Sequence, residues 1–192
     1  MDDHATDKKK LRRASHSRAA ESSVERKKLD RELCQRFLDA FPPDATKSIA
    51  FFWPLARECD TRMIAETCHD MGMTCALPVV IPNSHGMIFR QWRRGGTVVK
   101  SRVGTMEPRE DAPEVTPDII LVPLVMVDMK GTRLGRGAGY YDAALADLRA
   151  RHDFLAIGMA YDWQISEDPI PSEPHDQRLD GLVTPTRVML FA

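Results

Sequence analysis

No apolar run in this chain reaches the ~18 residues needed to cross a bilayer as a helix, and its first residues are polar and charged rather than leader-like. Both absences set the expectation of a cytoplasmic protein. The four cysteines, Cys34, Cys59, Cys68 and Cys75, include no Cys-X-X-Cys pair and no nearby histidine at zinc-finger spacing. They read as free, buried thiols in a reducing compartment. Charge of neither sign is in excess: the formal net charge is −1, so no overall field draws the chain towards nucleic acid or a membrane surface. No RNA-binding motif of aromatic and basic residues occurs either. Any basic site must be local. At 192 residues the chain suits one α/β domain with a substantial core and is too short for two ordinary catalytic domains.

What is present is an alternation of apolar runs and amphipathic stretches. Residues 48–53, 74–81, 87–92, 118–127 and 154–160 read as strands, and 187–191 as an edge strand. A helix is expected from Lys8, with Leu29, Leu33, Phe37 and Phe41 forming a stripe at four-residue steps until Pro42 and Pro43 end it. A second spans residues 62–71, with Thr61 or Asp60 able to cap it and Gly72 closing it. A third starts at about Tyr140, with Ala143, Ala144, Leu145 and Leu148 able to cover a sheet. Residues 1–7 read as disordered, residues 97–116 as a surface crossing without firm periodicity, and residues 162–180 as an acid- and proline-rich segment. Strands alternating with helices predict a three-layer α/β/α fold with a mostly parallel central sheet and a long basic N-terminal helix. Ligands of such sheets sit at the carboxyl ends of strands.

The stretch Gly-Thr-Arg-Leu-Gly-Arg-Gly-Ala-Gly-Tyr-Tyr-Asp over residues 131–142 carries the chemistry. Gly135, Gly137 and Gly139 let the backbone turn through positive φ and bring bare N–H groups to a ligand. Arg133 and Arg136 add cationic forks, and a helix starting near Tyr140 aims its positive end at the same place. The guest this suits is a phosphate. A glycine run alone is equally the mark of a mobile turn, but the continuous apolar run at 119–127 supplies the strand that such a loop follows.

Val122-Pro123, Asp128 and residues 131–142 together closely resemble the signature of the 5-formyltetrahydrofolate cyclo-ligase family, also called methenyltetrahydrofolate synthetases. The resemblance extends from about Lys8 to Thr184, and its specific part is residues 122–142. It implies a single domain over residues 1–192, dependent on ATP and magnesium and acting as a monomer on a folate that can carry several glutamates. Lys8, Lys9 and Arg12 match a basic segment that contacts ATP in the family; alone, the cluster running on to Arg18 reads as a solvated helix face. Further ATP contacts are implied for Arg133, Leu134, Gly135, Arg136, Gly137, Ala138, Gly139, Tyr140 and Tyr141. Folate contacts are implied for Trp53 and Glu58 and for residues 136–140, with Arg136 and Tyr140 in catalytic roles. The carboxylate of Glu58 suits the N–H donors of a pterin and Trp53 its flat face, although alone they read as a surface acid and a core ring. Asp142 and Asp176 match the family's metal ligands; alone they read as a helix-start acid and a turn residue. His175 reads as a proton carrier or a structural turn residue, and Tyr141 as a contact or a core ring. Ala138 departs from the Lys or Gly of some relatives, and Val127 from a frequent Phe.

The implied reaction moves the γ-phosphoryl of ATP onto the formyl oxygen, making it a leaving group, after which the neighbouring folate amine closes the ring. Such a transfer asks the protein for placement and charge neutralisation. Two other readings fit the residues. One is a phosphosugar- or CoA-type enzyme using the loop for a substrate phosphate, and the other a non-catalytic binder of nucleotides or RNA through the basic segment.

Overall fold

Adjacent residues of the strands point to opposite faces of a sheet, and in this chain both members of each pair are buried: Ile49 and Ala50, Cys75 and Ala76, Ile120 and Leu121, Ala156 and Ile157, Leu182 and Val183. A strand apolar on both faces is stable only with a layer on each side. The computed structural model describes residues 3–15, 23–82, 84 and 86–191, with the backbone alone for residues 3–6, 14 and 15. Its elements in chain order are α1 (Asp3–Ser15), α2 (Ser23–Ala40), β1 (Ser48–Ala50), α3 (Arg62–Asp70), β2 (Thr74–Val80), β3 (Met87–Trp92), β4 (Val98–Lys100), β5 (Met106–Pro108) and β6 (Ile119–Pro123). There follow β7 (Met126–Asp128), β8 (Arg133–Leu134), α4 (Tyr140–Arg149), β9 (Leu155–Met159), a 3-10 turn (Asp162–Gln164), β10 (Ile165–Ser166), β11 (Gly181–Val183) and β12 (Val188–Leu190).

The main sheet has seven strands in the order β12-β11-β9-β6-β1-β2-β3. β11, β9, β6, β1 and β2 run parallel, and the edges β12 and β3 are antiparallel to their neighbours. On one face Leu33 and Phe37 of α2 and Ile64 and Cys68 of α3 pack on Ile49, Leu77, Leu121 and Ile157. On the other, Ala144, Leu145 and Leu148 of α4 pack on Ala50, Ile120, Val122 and Ala156. Truncating a residue such as Leu121, which is fully buried, would cost about 2–5 kcal/mol. The three-layer arrangement with a mostly parallel sheet is the one predicted. All four cysteines are free and buried, and burial pushes the thiols of Cys34 and Cys75 up to about 12 and that of Cys68 up to about 11.

Several expectations are corrected. Of the helix expected from Lys8 to Pro42, the described parts are α1 and α2, both helical as expected; residues 16–22, Arg18 among them, lie outside the described residues. Residues 3–7, expected to be disordered, belong to α1, while Met1 and Asp2 lie outside the described residues. The run at 118–127 is not one strand. β6 ends at Pro123, which has no N–H to extend the ladder, and the side-chain amide of Gln164 takes the carbonyls of Leu124 and Val125 at 2.9 and 3.2 Å. The chain then leaves the main sheet, and β7 joins β8 and β10 in a second sheet of three strands. Residues 97–116 contain the β4–β5 hairpin, and β11, inserted between β9 and β12, falls in a stretch that gave no strand signal.

Candidate active site

The glycine loop is held from below by Asp128, which is 3 % exposed. Its Oδ1 accepts the N–H groups of Lys130 and Thr132, both at 2.9 Å, and its Oδ2 that of Ile170 at 3.0 Å. A buried carboxylate is stable there because backbone donors surround it. The turn it ties returns through Gly131 to β8, so the loop springs from β8 and not from the central strand as expected. Gly137 and Gly139 have φ of +102° and +75°, the left-handed region expected of them. Gly135 does not; a Cβ there would come within 2.8 Å of Nη1 of Arg133, so a side chain at this position would push the guanidinium aside. Gly139 is the N-cap of α4 without a side-chain cap, so the first N–H groups of the helix are left for a ligand.

Three distant segments meet this loop around a cavity of about 410 Å³. α1 contributes Lys8 and Arg12, the segment after β1 contributes Trp53 and Glu58, and the stretch before β11 contributes Glu173, His175 and Asp176. Arg133 to Asp142 line the remaining wall. Of the residues singled out in the sequence, Lys9 alone is not brought in; it is exposed and outside the lining.

Two cations of α1, Lys8 and Arg12, point inward. Nζ of Lys8 donates to Oε2 of Glu173 and to Oδ2 of Asp176, each at 2.6 Å, and Nε of Arg12 donates to the Gly135 carbonyl at 2.8 Å. Leu11 between them packs towards Met126, Leu134 and Ile170. Two leading members of the basic cluster are therefore spent inside the protein, while Lys9, Lys10 and Arg13 are exposed. Burial lowers the affinity of Lys8 for its proton, and the hydrogen bonds to Asp176 and Glu173 outweigh it, so its ammonium is held above its ordinary range. Burial likewise pushes the Asp176 carboxyl up, but Lys8 and the Glu173 N–H, which donates at 2.7 Å, hold it below the usual carboxylate range.

Arg133 is the electrostatic centre of the wall. Its side chain is 5 % exposed, and Nη2 lies 2.8 Å from Oδ1 of Asp142. That contact is one of charge alone, because neither Nη2 nor Nε makes a hydrogen bond among the described residues. The guanidinium also lies 5.8 Å from the ring centroid of Tyr141, whose hydroxyl is buried without a hydrogen-bond partner among the described residues. Burial pushes that phenol up, the nearby Glu58 adds to the effect, and Arg133 opposes it. Buried donors left open are costly unless a ligand satisfies them.

The wall formed by the segment after β1 is equally constrained. Trp53 packs on the core and lines the cavity, with the Arg62 guanidinium 5.5 Å from its ring centroid. Arg57 takes φ +77°, unusual for a side-chain-bearing residue, and this tight turn sends Glu58 back so that its Oε2 accepts the Leu55 N–H at 2.7 Å. The helix start that follows is capped by Asp60, whose Oδ1 accepts the Arg62 N–H at 3.0 Å, while the Thr61 hydroxyl donates to the Phe52 carbonyl.

For a metal, Glu173, His175 and Asp176 form a group with potential ligand atoms within 4.8 Å of one another. Asp142 is not part of that group but lines the same cavity and accepts the Gln177 N–H at 3.0 Å. Carboxylate oxygens suit a hard cation such as Mg²⁺. Glu173 was missed in the sequence reading, its signal lost in an acid- and proline-rich segment.

Comparison with known proteins agrees with this geometry. The 5-formyltetrahydrofolate cyclo-ligase family model matches residues 4–185. The 5-formyltetrahydrofolate cyclo-ligase of Escherichia coli (strain K12) is 30% identical over 176 residues, covering 89% of this chain and 96% of that protein. That of Mycolicibacterium smegmatis is 34% identical over 148 residues, with coverages of 73% and 75%. The NMR structure of the Aquifex aeolicus 5,10-methenyltetrahydrofolate synthetase superposes with a TM-score of 0.79 at 28% identity, covering 95% of this chain and 92% of that one. A Mycoplasma pneumoniae 5,10-methenyltetrahydrofolate synthetase gives 0.73 at 25% identity, with coverages of 93% and 99%. The fold, the cavity and these matches together show that the chain is an enzyme belonging to the 5-formyltetrahydrofolate cyclo-ligase family.

Proposed function

We propose that the chain converts 5-formyltetrahydrofolate to 5,10-methenyltetrahydrofolate with ATP and Mg²⁺, releasing ADP and phosphate. The observation that carries this reading is the cradle of the glycine loop and the uncapped start of α4, set beside the buried Arg133 guanidinium, two of whose nitrogens make no hydrogen bond among the described residues. An anion with several oxygens is what such a cradle fits. Arg12 and Lys8 complete its positive side, and Asp142, Asp176 and the newly recognised Glu173 supply the oxygens that would hold Mg²⁺. The family match over residues 4–185 supports one domain over most of the chain.

The bound Mg-nucleotide supplies an electrophilic phosphoryl group, and the chain's residues arrange what it meets. Trp53 and Glu58 place the pterin on the far side of the loop, so that the formyl oxygen faces the helix start and the N–H groups of residues 137–140. Those donors and Arg133 stabilise charge as it develops on the transferring group. Arg136 and Tyr140 line the cavity and would orient both substrates. No side chain need act as a nucleophile. Once the oxygen carries phosphate, the neighbouring folate amine attacks the formyl carbon and phosphate departs.

The test is direct. Protein, ATP, Mg²⁺ and 5-formyltetrahydrofolate are mixed and the near-ultraviolet absorbance of the methenyl product is followed. Absorbance that grows only with all components present is the expected result, and growth without ATP, or none at all, overturns the reading.

A further inference from the structure

Both oxygens of Glu58 already have donors. Oε2 accepts the Leu55 N–H, and Oε1 accepts Nε of Arg136 at 2.9 Å, while Nη2 of Arg136 donates to the Ala56 carbonyl at 3.0 Å. A pterin offers N–H donors to a carboxylate, and Oε1 is the oxygen that the Leu55 N–H leaves to them, so the Arg136 guanidinium on Oε1 competes with the ligand assigned to Glu58 above. We infer that Arg136 is a latch: it masks Glu58 in the empty protein and is drawn away by nucleotide phosphates, so that nucleotide binding opens the folate site. The inference rests on the proposed function and adds to it a coupling between its two substrates.

The two partners are unequal in a way that decides which one moves. The Glu58 side chain is 9 % exposed and that of Arg136 51 %. Glu58 is fixed from behind by the Leu55 N–H and by the left-handed turn at Arg57. Arg136 has only its half-exposed contacts to lose, and it sits between Gly135 and Gly137, where backbone freedom is greatest. Its destination is close at hand. A Cβ built at Gly139 would meet nothing within 4 Å, so the loop faces open space there, and Arg133 and Arg12 already mark that space as one for anions. A phosphate attracts a third guanidinium more strongly than one carboxylate shared with a backbone N–H does. The latch also has a resting use, since among the described residues Arg136 is the cation paired with this buried carboxylate.

Because the coupling is between two equilibria, each ligand must tighten the other by the same factor. An ion pair with one half-exposed partner sets that factor at about two- to fivefold. Calorimetric titration of 5-formyltetrahydrofolate into the full chain, with and without a non-hydrolysable ATP analogue and Mg²⁺, measures it. In the wild type the analogue should tighten folate binding by about two- to fivefold. In Arg136→Ala, folate should bind that much more tightly without the analogue, and the analogue should add nothing. Arg136→Gln, which keeps a side chain of similar reach without the charge, should behave the same way, and thermal unfolding verifies that both variants fold. If Arg136→Ala binds folate no more tightly than wild type, or if the coupling survives in it, the latch is refuted. If the wild type binds both ligands independently, the latch falls and the enzyme reading stands. If the wild type fails to bind the analogue or the folate, the enzyme reading falls and takes the latch with it.

Discussion

Asp142→Asn separates two duties of one carboxylate. In the empty protein its Oδ1 accepts the Gln177 N–H and lies 2.8 Å from Nη2 of Arg133. The amide keeps an acceptor in place and loses the charge. Breaking a fully buried pair costs about 3–5 kcal/mol, but the Asp142 side chain is 19 % exposed and makes no hydrogen bond to Arg133. Solvent screening and the missing bond reduce the expected loss to about 1–2 kcal/mol. For a chain of this size that lowers Tm by roughly 2–8 °C, well within a total stability of about 5–15 kcal/mol. The variant therefore stays folded at ordinary temperature. If Asp142 also holds Mg²⁺ against the phosphates, turnover should fall about 10²-fold or more, the scale on which one lost charge-stabilising contact acts. Thermal unfolding of the ligand-free protein measures the first effect, and initial rates across a Mg²⁺ series measure the second. A variant with lowered Tm but wild-type rate and Mg²⁺ dependence would show that Asp142 serves Arg133 alone.

Other positions test other parts of the site. Gly137→Ala puts a side chain at φ +102° with its Cβ 3.3 Å from the Arg12 guanidinium; a stability loss of about 1–3 kcal/mol and a KM for ATP raised more than that for folate are expected from steady-state kinetics. For Asp176, whose carboxyl is held below its ordinary range, the stabilising contribution is present above that range and is lost as pH falls through the lowered value. Lys8→Met removes the hydrogen bond that most lowers it, so acid unfolding followed by circular dichroism should begin at higher pH, and an unmoved acid limb would contradict the reading. Gly158→Ala is the control away from the site: its Cβ would lie 2.6 Å from Cδ1 of Leu179 and 3.0 Å from Cδ2 of Leu124. Overpacking should cost about 1–3 kcal/mol while kcat per folded molecule, measured at low temperature, stays unchanged.

The layers of the fold were legible because residues such as Ile120 and Leu121 are apolar on both faces of a strand, a pattern with few structural solutions. The glycine loop was legible because Gly137 and Gly139 take backbone angles that other residues resist. What escaped the sequence depended on partners far away in the chain. The apolar run at 118–127 breaks after Pro123, the one mark of the break within the run, and Gln164, 40 positions on from Leu124, claims the two carbonyls that follow. β11 has only three residues, and its pairing with β9 and β12 supplies what local propensity does not. The inward aim of Lys8 could not be read from a cluster of lysines and arginines, since its acids stand at 173 and 176. Asp128 was recognisable by resemblance, but only the structure shows that it serves the loop by tying three backbone N–H groups.

The ammonium of Lys8 reaches across 165 and 168 positions of the chain to Glu173 and Asp176. During synthesis the strands β1, β2, β6 and β9 can pair before those acids leave the ribosome, and their pairing shortens the span that α1 must later close. Until translation passes Asp176, α1 is held by Arg12 on the Gly135 carbonyl and by Leu11, and the cavity lacks the wall of residues 173–176. A prematurely stopped polypeptide would thus build much of the sheet yet leave the cavity open on that side, so that its closure reports on how far the ribosome has travelled.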